Sequence, residues 1–134
     1  MTVDQVFIIK KLQNLDEMLV AYSAVTRMPF ATCDEESFND QVWIFTDQDK
    51  MKAFAEKYKE EKKLILPVKV QKKDASMFYM NLFSMGINEV VFCDGDQENK
   101  IELTQIVRMP DVDALPENRK PILNPQLLLS AVYF

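Results

Sequence analysis

A chain of 134 residues, 48% apolar and 28% charged, has the length and composition of one globular domain with a core of its own. Its 16 basic and 21 acidic residues leave a net charge of −5, which argues against a nucleic-acid or anionic-membrane binder. Histidine is absent and the two glycines, Gly86 and Gly95, stand alone, so His-dependent triads, His-metal sites, P-loops, GxGxxG turns and GxSxG elbows are excluded.

Taken in chain order, Thr2-Val-Asp-Gln5 has capping-box spacing, and Val3, Val6, Phe7, Leu12 and Leu15 recur at helical intervals. A leading helix is therefore expected within residues 1–17. Asp4 stands where a secretory signal needs basic residues, and no apolar run reaches membrane-spanning length, so a cytoplasmic location is expected. Compact apolar residues predict a strand over 18–24, and Pro29 forces a turn before a second extended piece over 29–33. Gln41-Val-Trp-Ile-Phe45 is rich in residues that suit a pleated surface and predicts a third strand. Thr46-Asp-Gln-Asp49 then opens a helix with an acceptor at its cap. Met51, Phe54, Ala55 and Tyr58 form the apolar stripe of that helix, and its lysines gather at the C-terminal end.

Pro67 within the apolar run 64–70 predicts an edge strand. Asp74 is expected to cap a helix that carries Phe78, Leu82 and Met85 on one face and stops at Gly86. Glu89-Val-Val-Phe-Cys93 predicts a central strand, followed by a turn over 94–99 and a returning strand in which Ile101 and Leu103 alternate. Pro110, Pro116 and Pro121 mark residues 108–123 as an extended connector, and Asn124-Pro125 starts a C-terminal helix over 124–134. These elements predict a single α/β (mixed α+β) domain over 1–134. Its core is expected to be a mixed, mostly antiparallel sheet of about five strands flanked by helices.

Four constellations bear on chemistry. The acids of Asp94-Gly-Asp-Gln-Glu98 resemble a calcium loop, but Asn99 and Gln105 replace the glycine and the bidentate glutamate that such a loop needs, so a hairpin turn is expected. Residues 50–73 hold nine lysines against three glutamates, which reads as a solvated helix face rather than a docking face. Cys33 and Cys93 lack a CxxC or zinc-ligand spacing and read as small buried thiols, with acids beside Cys33 that oppose a thiolate. No base has an informative spacing to either, so no catalytic residue, metal or cofactor is assigned. Arg27, in the turn Thr26-Arg-Met-Pro-Phe30 beside Tyr22, either anchors a carboxylate or ties down its own loop through backbone carbonyls.

The strand, turn and Met-Pro-Phe order, followed by Val42-Trp-Ile-Phe-Thr-Asp47 opening a helix, resembles the N-terminal domain of the SseB (enhanced serine sensitivity) family. Gly86-Ile-Asn after the second helix and Asn124-Pro125 near the end also look like that family's pattern, and the likeness spans about residues 18–126. Phe45, Thr46, Gly86, Asn124 and Pro125 are the matching positions. The resemblance implies an α/β domain without a recognised active site or cofactor, associated with serine sensitivity and regulation.

These readings lead to a non-catalytic, cytoplasmic binding or regulatory module. Its expected contact residues are Tyr22, Arg27, Met28, Pro29, Phe30 and Thr32, with the apolar 132–134 end beside them. A protein partner or self-association is expected, and neither nucleic acid nor membrane. The alternative is a sensor of a small, amino-acid-like ligand, or a weak enzyme, with a pocket centred on Arg27.

Overall fold

Near-continuous burial along the strands at 17–23, 40–45 and 89–94 builds the molecule around one open sheet covered on both faces. The structure, a computed structural model, describes residues 3–108. Helix α1 (Val3–Gln13) leads into β1 (Glu17–Ser23), the short β2 (Met28–Pro29) and β3 (Ala31–Cys33), and β4 (Asp40–Phe45). Helix α2 (Gln48–Lys59), β5 (Ile65–Gln71) and α3 (Ala75–Ser84) follow, then β6 (Glu89–Asp94), β7 (Gln97–Glu102) and α4 (Leu103–Arg108). The five long strands lie in the order β5-β1-β4-β6-β7. Only β4 and β6 pair in parallel, from Gln41↔Glu89 to Phe45↔Cys93; every other described pairing is antiparallel. This is the mixed, mostly antiparallel sheet the sequence predicts.

Period-two alternation sends each strand's side chains to two separate cores. Met18, Val20, Val42, Ile44, Val90 and Phe92 pack with Ile9 and Leu12 of α1, Phe78 and Leu82 of α3, and Leu103 and Ile106 of α4. Leu19, Ala21, Phe45, Val91 and Cys93 pack on the other face with Met51 and Phe54 of α2. Burial of a side chain such as Phe92 at the sheet's centre contributes about 1.5–3 kcal/mol.

Helix α2 begins as its letters require: the Asp47 carboxylate accepts the Asp49 N–H at 2.8 Å. Helix α3 ends in a Schellman turn, with Gly86 at φ +84°, its N–H on the Phe83 carbonyl and the Ile87 N–H on the Leu82 carbonyl, both at 3.1 Å. Pro67 lies on β5, which pairs only with β1 among the described residues, an edge where a missing donor costs least.

Several expectations are corrected. The buried face of α1 is Ile9 and Leu12, while Val3 and Phe7 are 85% and 70% exposed. Ile9 stands roughly 200° around the helix from Phe7, so the two cannot face the same sheet. Asp74 makes no side-chain cap; a 3₁₀ turn over Lys72–Asp74 runs straight from β5 into α3, and the Lys72 N–H is taken by the Asp16 carbonyl at 2.8 Å. The extended piece over 29–33 is broken at Phe30. β1 and β4 diverge there, so β2 pairs with β1 and β3 with β4, and the Phe30 N–H reaches the Ala21 carbonyl at 2.8 Å.

Leu103 is not in a strand. Glu102 pairs with Glu89, the first residue of β6, so beyond it no partner strand remains and the backbone turns helical to satisfy its own polar groups. Cys33 is exposed and only Cys93 is buried, because β3 is three residues long and at the sheet's margin. The Thr2 cap, the connector beyond residue 108 and the 124–134 helix, with Asn124-Pro125, lie outside the described residues. No helix among the described residues is long and apolar enough to cross a membrane.

Candidate functional site

Where β1 diverges from β4, its last residues lie beside the C-terminal half of α3, and an open groove of about 350 Å³ separates them. One wall is Tyr22, Arg27, Met28 and Pro29; the other is Phe78, Asn81, Leu82, Ser84 and Met85. Four of the six residues singled out in the sequence therefore meet in one place. Tyr22 and Pro29 are cross-strand neighbours, and their shared face is the one α3 covers. The Tyr22 phenol is half-buried, and burial raises its pKa above the ordinary 10.0, so it remains a hydrogen-bond donor at neutral pH.

Arg27 occupies the left-handed region at φ +57°, with its N–H on the Ser23 carbonyl at 2.8 Å. The Thr26 N–H is held by the Ser23 hydroxyl oxygen at 3.3 Å, so the turn is closed without the arginine's side chain. Among the described residues the guanidinium has no hydrogen bond or ion pair. Of the two roles open to Arg27, tying down its own loop is thus not the one its geometry serves. Met28 and Met85, which line the same groove, are exposed, as is Val25 in the adjoining turn.

Phe30 and Thr32 do not belong to this groove. Phe30 is 9% exposed on the opposite face of the sheet, edge-on to Tyr58 at 5.0 Å and Phe54 at 6.2 Å, with Lys63 Nζ 5.7 Å from its ring centre. The step from Pro29 to Phe30 crosses the pleat, so the Met-Pro-Phe turn cannot present its apolar residues as one patch. Thr32 Oγ1 accepts the Trp43 indole N–H at 2.8 Å and donates to Gln41 Oε1 at 3.3 Å. It is a linker inside the protein.

Thr32 leads to a polar assembly that sequence reasoning missed. Gln41 and Glu89 are the buried polar residues of the described core. Gln41 Nε2 donates to Glu89 Oε1 at 2.5 Å and to Asp34 Oδ2 at 3.2 Å, and Asn39 Nδ2 donates to Glu89 Oε2 at 3.4 Å. Lys100 Nζ closes the set on Asp34 Oδ2 at 2.6 Å. That bond, helped by the Glu36 N–H, lowers the Asp34 pKa from 3.8 to about 2. The network joins β3, β4, β6, β7 and the 34–39 loop. Its only trace in the sequence is a polar residue at the start of each of two apolar strands, and nothing in the spacing links them.

Two of the three acids of the 94–98 turn are held as ion pairs: Asp94 meets Lys11, and Asp96 meets Lys50. Among the described residues no group of three or more His, Cys, Asp or Glu side chains converges as a metal site would require. Burial, followed by the charge of Glu98, pushes the Cys93 thiol up to about 12. No family model, no curated protein and no solved structure matches the chain.

Proposed function

We propose that this chain is a non-catalytic binding or regulatory module of the cytoplasm, of the kind its likeness to the SseB N-terminal domain implies. It engages a protein partner or a second copy, and neither nucleic acid nor membrane, through the groove between β1–β2 and α3. One observation carries the reading: Arg27 stands at the groove without an internal partner among the described residues, and the exposed Met28 and Met85 line the same groove. Tyrosine, arginine and methionine around an apolar floor are the residue types that interfaces favour.

Affinity capture of the tagged chain from its native lysate tests this, with Arg27→Glu and Met28→Asp as controls on the exposed face. A near-stoichiometric partner lost in both variants supports the reading. A partner retained by both moves the contact elsewhere and overturns the site.

The groove's volume also favours a second reading, a sensor or weak enzyme for an amino-acid-like ligand, since small-ligand sites begin at about 300 Å³. In that case Arg27 takes the ligand's carboxylate and the Tyr22 hydroxyl orients it. A thermal-shift panel of the amino acids distinguishes the two, because a hit abolished by Arg27→Ala favours the small ligand.

A further inference from the structure

The sheet has two outer strands, and they are finished differently. On β7, Glu98, Lys100 and Glu102 are exposed, and charged side chains on an edge discourage further pairing. At β5, Leu66 and the preceding Leu64 are exposed instead, with Leu66 in one cross-strand row with Tyr22.

β5 also presents an ordered edge. At one end of its ladder with β1 the Lys72 N–H meets the Asp16 carbonyl at 2.8 Å, and at the other the Ala24 N–H meets the Leu64 carbonyl at 2.9 Å. Antiparallel bonds join every second pair, so Met18–Val70, Val20–Val68 and Tyr22–Leu66 carry the ladder between those ends. Ile65, Pro67, Lys69 and Gln71 therefore turn their backbone groups outward, where no strand among the described residues meets them.

Beside this edge an open groove of about 320 Å³ separates α2 from β5. Met51 and Ala55 of the helix line it, with Ile65 and Pro67 of the strand. No other strand contributes, and β5 is the outermost, so the groove opens along the edge. Lys52 and Glu56 line it as well, one of each charge, so it favours neither sign in what fills it.

We infer that β5 accepts an extended segment of a partner protein as a further strand, alongside α2. Backbone donors and acceptors at regular spacing are matched by another backbone. Side chains opposite Ile65 and Pro67 share their face and enter the groove, while those between them fall on the other face beside Leu66. The segment is therefore extended, uncharged at these positions and apolar on both faces. Pro67 argues against a second copy: one added strand meets a single missing donor, whereas a symmetric pair of β5 edges lacks two. This site is separate from the groove at Arg27, because Ile65 packs in the α2 core and α3 walls the other groove.

The test is selection of random peptides displayed on phage against the whole chain, followed by N-methyl scanning of the enriched peptides with fluorescence anisotropy as the readout. Methylation at every second residue is expected to weaken binding roughly tenfold and methylation between them to leave it unchanged, because only alternate N–H groups face β5. Lys69→Pro removes an outward donor and no bond to β1, so it is expected to weaken binding roughly tenfold. Lys69→Gln, which drops the charge and keeps the donor, leaves binding unchanged. Pro67→Val supplies the missing donor and suits a strand, and is expected to strengthen binding roughly fivefold, so the test does not depend on how well the proline variant folds.

A scan that is flat or follows a helical period overturns the added strand. Binding unaltered in both Lys69→Pro and Pro67→Val overturns the edge. Binding lost in Arg27→Glu instead places the peptide in the other groove, which overturns this site and leaves the binding module standing. Absence of any enriched peptide overturns the inference. A dimer that Lys69→Pro dissociates assigns the edge to a second copy, and faster amide exchange of residues 109–134 in that variant assigns it to the chain's own remaining segment; either result overturns the partner strand.

Discussion

Phe30→Ala and Met28→Ala, two positions apart in one turn, are expected to differ several-fold in cost. The Phe30 ring is 9% exposed and packs edge-on against Phe54 and Tyr58, at interplanar angles of 72° and 64°. Truncation removes the transfer energy of the ring and opens a hole between α2 and the sheet, and such changes cost about 3–5 kcal/mol in cores. Phe30 lies where β1 and β4 diverge, a margin that can partly collapse, so the lower end, about 3 kcal/mol, is expected. Met28 is 45% exposed, and its truncation should cost less than about 1 kcal/mol. With a urea m-value of about 1.5 kcal/mol/M, Phe30→Ala moves the unfolding midpoint down by about 2 M and Met28→Ala by no more than about 0.7 M. Equal shifts for the two variants, or a Phe30→Ala midpoint within about 0.5 M of the parent, would refute the placement of Phe30 on the α2 face.

Gly86→Ala should cost about 1 kcal/mol, because φ is +84° and nothing lies within 4 Å of the added methyl; a fall of about 4 °C in Tm is expected, and an unchanged Tm would contradict the left-handed cap. Asp34 is held at about 2 in the folded chain against an ordinary 3.8, so its contribution to stability is full above 3.8 and is lost as pH falls from there through about 2. Lys100→Met should raise the Asp34 pKa toward 3.8 in an NMR titration of its carboxyl carbon, and an unmoved titration would remove the Asp34–Lys100 bond. In the native chain a thiol-reactive disulfide reagent should label Cys33 promptly and Cys93 only after unfolding, since Cys33 is exposed and Cys93 is buried with its thiol pushed up to about 12. Two thiols reacting at one rate would refute that division.

Elements whose signals are local were legible. The Asp47 cap and Met51/Phe54 stripe of α2, the Gly86 stop of α3, the apolar run of β6 and the edge placement of Pro67 each follow from neighbours a few residues apart. Errors arose where a short pattern satisfied two periods or where a distant partner decided. Ile101 and Leu103 alternate like a strand, yet the strand ends because β6 begins opposite Glu102. Val3 and Phe7 share a helical stripe, but the sheet meets the other side of α1. For the candidate site, Arg27 and Tyr22 stood out because arginines are few and a proline turn adjoins them. On the opposite wall, Phe78, Leu82 and Met85 were legible only as a helix face, and Asn81 and Ser84 had no signal of their own.

By itself the sequence determined the classes of chemistry the chain cannot host, the type and order of the long elements, and the stop that Gly86 places after α3. All of these depend on residue identity or on contacts within about one helical turn. Tertiary structure alone decided that Phe30 and Pro29 face opposite cores and that Gln41, Glu89, Asp34 and Lys100 form one network. It also decided that Leu66 extends the row begun by Tyr22. Each of these follows from strand register, and register is a relation between segments tens of residues apart that no local pattern carries.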